Sequence, residues 1–171
     1  MQLNLSQRWH AHHWVRREPD WTAAAVAGFL AGAVLMTMEL VWSALATDAG
    51  LWRGSHQVAA IVMGRNALQS DDFNLVVVAT ALVTHYVLGV VFGLVLGAIM
   101  ASTRLDSSWH AAAAIGALFG ALLYAVNFYV MSEVFIWFAQ MRSPAALAAH
   151  VVFGVVAALA YRQLERPAKP A

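Results

Sequence analysis

Four side chains able to carry proton or ligand chemistry stand inside otherwise apolar sequence: Glu39, His85, Asn127 and His150. A carboxyl, two imidazoles and a carboxamide offer hydrogen-bond donors and acceptors, and groups that change charge near neutral pH. Ionisable groups are costly within a membrane, so they tend to be paired and functional. Four chemistries follow. The set suits binding or transport of an ion, a proton or a small ligand. Two histidines on different helices meet the minimum for axial ligation of a b-type haem. One carboxylate with two imidazoles resembles a small metal-ligand set, although no HExxH spacing accompanies it. Polar contacts between helices also act as structural glue, at roughly 1 kcal/mol each.

The spacing of these residues is repeated. Gly28, Gly32 and Glu39 follow one another at offsets of four and seven, and so do Gly116, Gly120 and Asn127. His85 precedes Gly89 by four residues, and His150 precedes Gly154 by four. At helical pitch each glycine–glycine–polar triplet falls within about 40° on one face. Small residues mark where helix backbones approach in lipid, so Gly28, Gly32, Gly89, Gly93, Gly116, Gly120 and Gly154 are the expected packing positions and the four polar groups should face inward.

Helices must position them, because 61% of the 171 residues are hydrophobic and only 11% charged, against about a quarter charged in a soluble domain. Windows 22–46, 73–101, 111–138 and 144–161 contain just two charged residues, Glu39 and Glu133. Three windows exceed the roughly 20 residues a helix needs to cross a bilayer. The fourth opens with Ser143 as N-cap and Pro144 as first helical residue, and extends toward Leu164 if Arg162 snorkels. The expectation is an all-α, integral membrane four-helix bundle. It comprises two tandem helix pairs related by an axis along the membrane normal.

Around this domain (22–163) lie an interfacial segment (1–21) and a short tail (164–171). His10, His12 and His13 in the first of these lack the partners of a diagnostic metal site. The loop 47–72 is expected to hold a short amphipathic interfacial helix that uses Val58, Ala59, Ile61, Val62, Met63, Ala67 and Leu68. Seven Lys and Arg fall on one side and Arg53, Arg65 and Arg142 on the other, which puts both termini in the cytoplasm. Tryptophans, Trp137 among them, fall at the expected headgroup levels.

Zero cysteines exclude a disulfide or thiolate-metal framework, and a net charge of +1 leaves no footprint for nucleic acid. The expected partners are the lipid bilayer and, beyond it, a second copy of the chain or a larger membrane complex. An accessory subunit is the alternative function. No cofactor is predicted beyond the haem alternative. No enzyme is expected either, since Ser43, Ser132 and Ser143 lack a base and orienter, and no nucleophile elbow or phosphate loop occurs.

The segments AVLMTMELVW, QVAAIVMG, THYVLGVVFGLVLG, NFYV and AHVVFGVVAALAYR together resemble a group of small uncharacterised bacterial membrane proteins with four spans. The resemblance covers about residues 22–162 and implies an inner-membrane four-span topology. Members are sometimes labelled sodium-dependent symporters, carriers with many more spans than four. What it implies is therefore topology and not chemistry.

Overall fold

The computed structural model describes residues 18–46, 50–103 and 108–166. The cluster His10, His12 and His13 and the end of the tail lie outside them. Among the described residues the chain is helical and has no strand. Four helices are long and apolar enough to cross a membrane. They are α1 (Trp21–Ala46), α3 (Leu75–Thr103), α4 (Trp109–Ala125, continued irregularly to Glu133) and α5 (Pro144–Leu164); α2 (Arg53–Met63) lies between the first two.

Each long helix starts on a side-chain cap that satisfies backbone N–H groups otherwise left without partners. Asp20 Oδ1 accepts from Ala23 N–H at 3.0 Å, and Asn74 Oδ1 from Val76 and Val77 at 3.0 and 3.2 Å. Ser108 Oγ accepts from Ala111, and Ser143 Oγ from Ala146, with Pro144 opening the last helix as its sequence predicts. The Asp20 carboxyl also joins the start of α1 to the end of α5, since its Oδ2 accepts from Arg166 N–H at 3.3 Å. Arg162 lays its guanidinium 4.7 Å over the Trp109 ring.

Packing follows the glycines. A methyl group on Gly28 would run into the Gly89 carbonyl and Gly93 Cα, so α1 and α3 meet backbone to backbone there. Gly116 and Gly154 meet the same way between α4 and α5, and Gly120 lies against the His150 backbone. Lipid tails are as apolar as the helices, so close packing rather than burial from water holds such pairs together. The two pairs join along α1 and α5, where Ala24, Ala27 and Ala31 share a core with Phe153, Ala157 and Tyr161. By contrast α3 and α4 touch each other little.

The third span differs from the continuous helix expected over 111–138. Regular α-helix ends at Ala125, a π turn occupies Val126–Val130, and a 3-10 turn occupies Met131–Glu133. Phe135 (φ −107°, ψ 79°) then leaves helical geometry, and a 3-10 segment, Ile136–Met141, leads back toward α5. Hydropathy does not register this break, because Asn127, Ser132 and Glu133 are too few to interrupt the apolar run. The departure lets Trp137 and Phe138 turn inward and cluster with Phe128, Ala60 and Ala67. Trp137 is therefore buried, its Nε1–H donating to the Gln57 carbonyl at 3.0 Å, and is not exposed at the edge of the span. In α2 the buried face carries His56, Gln57, Ala59 and Ala60, while Val62 and Met63, expected on the apolar face, point outward.

Candidate functional site

Near the end of the bundle covered by α2 and the 136–141 segment, a cavity of about 340 Å³ opens between the long helices. Glu39 from α1, His85 from α3, Asn127 from the π turn and His150 from α5 all line it. Phe92, Phe128, Phe135, Phe138 and Phe153 supply much of the remaining wall. Polar groups are thus few and convergent within an aromatic enclosure, the general form of a small-molecule site. The neighbouring polar side chains Thr84, Tyr86 and Tyr124 do not line the cavity. Tyr86 instead stacks on Phe29 at 4.4 Å, and Tyr124 packs edge-on to the His150 ring.

Backbone carbonyls fix the histidine tautomers. His85 Nε2 lies 2.9 Å from the Gly32 carbonyl oxygen, which can only accept, so Nε2 carries the proton of the neutral ring and Nδ1 keeps its lone pair. A methyl group on Gly32 would lie 3.8 Å from the His85 ring, an ordinary contact, so this approach does not depend on a glycine. His150 has the opposite tautomer: its Nδ1 donates to the Ala146 carbonyl at 2.8 Å, one helical turn back. Its Nε2 then accepts from the Asn127 amide nitrogen at 3.3 Å, and that orientation leaves Asn127 Oδ1 as an acceptor.

Glu39 occupies the junction of three spaces. It lines the central cavity, a cleft of about 190 Å³ shared with His85, Ser43 and Trp52, and a wider one of about 570 Å³ bordered by Arg53, Gln57 and Gln140. Among the described residues its carboxyl has no hydrogen-bonding or charged partner. Nor do three His, Asp or Glu side chains gather closely enough among those residues to hold a metal ion.

Three supporting residues were not singled out as candidates by spacing. Arg142 donates Nε–H to the Phe128 carbonyl at 2.7 Å and Nη2–H to Ser132 Oγ at 3.0 Å, with its guanidinium 4.4 Å over the Tyr129 ring. It thereby fastens the turn that carries Asn127. His56 bridges the Ala67 and Asp72 carbonyls at 2.6 and 2.8 Å, and Trp137 ties the 136–141 segment to α2. Each acts on backbone carbonyls remote in sequence, and residue spacing carries no signal of that. Compared with family models, curated proteins and solved structures, the chain matches none.

Proposed function

We propose that this chain is a multi-pass protein of a bacterial inner membrane, with both termini cytoplasmic, whose central cavity binds a small lipophilic ligand through a polar head. The observation that carries the reading is the convergence of Glu39, His85, Asn127 and His150 on one aromatic-walled cavity. A proton alone needs no enclosure of about 340 Å³, a volume at the lower end of ligand pockets. Orientation rests on the excess of Lys and Arg at the terminal end. That topology agrees with the four-span bacterial group the sequence resembles.

The two helix pairs are proposed to be a repeat. Its support is local: Gly28 meets Gly89 as Gly116 meets Gly154. A rotation that carried one pair onto the other would turn the α1–α5 contact into an α4–α3 contact. The first is extensive and the second slight, so the proposed likeness belongs to the hairpins more than to their mutual placement. The exposed stripe Val83, Val87, Val91 and Val95 on α3 is what lipid contact requires, and gives no ground for preferring a partner protein.

Haem ligation is the weaker proposal. Three of the four ring nitrogens of His85 and His150 already have protein partners, so an axial bond at His150 would have to displace Ala146 or Asn127.

Native mass spectrometry of the protein released from its membrane tests the binding reading. A small-molecule adduct is expected on the unaltered chain and should disappear when Leu88→Trp fills the cavity. Identical spectra for the two folded proteins would contradict it.

A further inference from the structure

The hydrogen-bond inventory of the cavity is one-sided. Both neutral histidines spend their N–H groups on backbone carbonyls, of Gly32 and Ala146, and the Asn127 amide donates to His150. The capacity left over is mainly that of acceptors, namely the Glu39 carboxyl oxygens when ionised, His85 Nδ1 and Asn127 Oδ1, against one further N–H of the Asn127 amide. Neither lysine nor arginine lines the cavity, and Glu39 has no charged partner among the described residues. A ligand that satisfies this set must bring donors, and it balances an ionised carboxylate if it also brings a positive charge. The walls agree with such a charge. Phe92, Phe128, Phe135, Phe138 and Phe153 line the cavity, and a phenylalanine ring attracts a cation placed over its plane.

We infer that the cavity takes a small lipophilic ammonium ion, its N–H groups directed at Glu39, His85 and Asn127 and its apolar body packed among the phenylalanines. This assignment rests on the proposed ligand-binding reading and adds the class of ligand. Carboxylates and other anions are disfavoured by the same inventory, because they would face mainly acceptors, an ionised Glu39 among them.

Isothermal titration of the full chain in nanodiscs, corrected for empty nanodiscs, tests the assignment with four probes: benzylamine, benzyl alcohol and benzoate, which are of similar size, and the bulkier benzyltrimethylammonium. Benzylamine should bind most tightly, at least tenfold above benzyl alcohol and above benzyltrimethylammonium, which has the charge without N–H donors. Benzoate should not bind. Glu39→Gln should weaken benzylamine at least tenfold and leave benzyl alcohol within twofold, and if that variant does not fold, the probe ranking on the unaltered chain decides alone. Benzyl alcohol binding as tightly as benzylamine, with both lost in Leu88→Trp, would overturn the ammonium assignment and keep the cavity reading. Binding of none of the four, or binding indifferent to Leu88→Trp, would overturn both.

Discussion

The amide nitrogen of Asn127 stands 3.3 Å from Nε2 of His150. Because Nδ1 of the same ring is 2.8 Å from the Ala146 carbonyl, the direction of the Asn127 contact is determined: the amide donates and the imidazole accepts. His85, with Nε2 on the Gly32 carbonyl, must be the other tautomer. Nitrogen-15 spectra of histidine-labelled protein at pH 8 should therefore show one neutral ring protonated at Nε2 and one at Nδ1. The signals are assigned by loss in His85→Phe and His150→Phe. Two rings of the same tautomer would contradict the arrangement.

The glycines separate into positions where a methyl group is excluded and positions where it is not. A Cβ on Gly154 would collide with the Gly116 carbonyl and come within 2.8 Å of Gly120 N, both of them backbone atoms that cannot step aside. Gly154→Ala and Gly116→Ala should each destabilise the folded protein by about 3 kcal/mol, the upper part of the usual overpacking range. At Gly32, though it follows Gly28 on one face of α1, the nearest atoms are 3.8 Å away, and at Gly54 nothing lies within 4 Å. Gly32→Ala and Gly54→Ala should change stability by less than about 1 kcal/mol. Thermal unfolding in one detergent checks all four, and equal losses at Gly32 and Gly154 would contradict the packing.

Asp20 links the start of α1 to the end of α5. Backbone N–H groups, of Ala23 first and of Arg166 second, hold its carboxyl below the ordinary value of 3.8. A group whose folded-state pKa is depressed contributes stability above its unfolded value and loses it as pH falls through the folded one. The unfolding temperature should thus be insensitive to Asp20 between pH 5 and 8 and fall below about pH 3.8. Asp20→Asn keeps a cap and should flatten that acid limb, whereas Asp20→Ala should unfold at lower temperature at neutral pH. An acid limb unchanged in Asp20→Asn would remove Asp20 from the account.

Arg142 positions Asn127 without lining the cavity. Replacing it by Met takes the donors from the Phe128 carbonyl and Ser132, at a cost of about 1 kcal/mol for an exposed arginine. The more specific outcome is spectroscopic. Arg142→Met should shift the His150 ring resonances, because the turn holding Asn127 loosens, while His110 stays put. Unmoved His150 resonances would show that the turn needs no such fastening.

The long helices were legible because their signals are local. An apolar run of sufficient length specifies a span, and Ser143 with Pro144 specifies where the last one begins. Glycine and polar spacing also picked out Glu39, His85, Asn127 and His150, the polar part of the cavity lining, since helical pitch converts sequence offsets into faces. What escaped depends on partners distant along the chain. The π turn at Val126–Val130 keeps the apolar character of the α-helix it interrupts. Burial of Trp137 follows from the Gln57 carbonyl, eighty residues away, and not from the rule that tryptophan prefers the headgroup level. The histidine tautomers, and with them the acceptor character of the cavity, are set by the Gly32 and Ala146 carbonyls, which periodicity does not display.

Convergence of α1 and the π turn on one interior space is tested most directly by cross-linking, for which the chain has no native cysteine to remove. Glu39→Cys combined with Asn127→Cys should be joined within a single chain by a short flexible bis-maleimide, read by intact mass as one linker and no free thiol. Leu122, exposed on another face of α4, supplies the control: Glu39→Cys with Leu122→Cys should take up two separate reagents. Equal cross-linking in both pairs, or none at Glu39 and Asn127 in folded protein, would contradict a shared cavity.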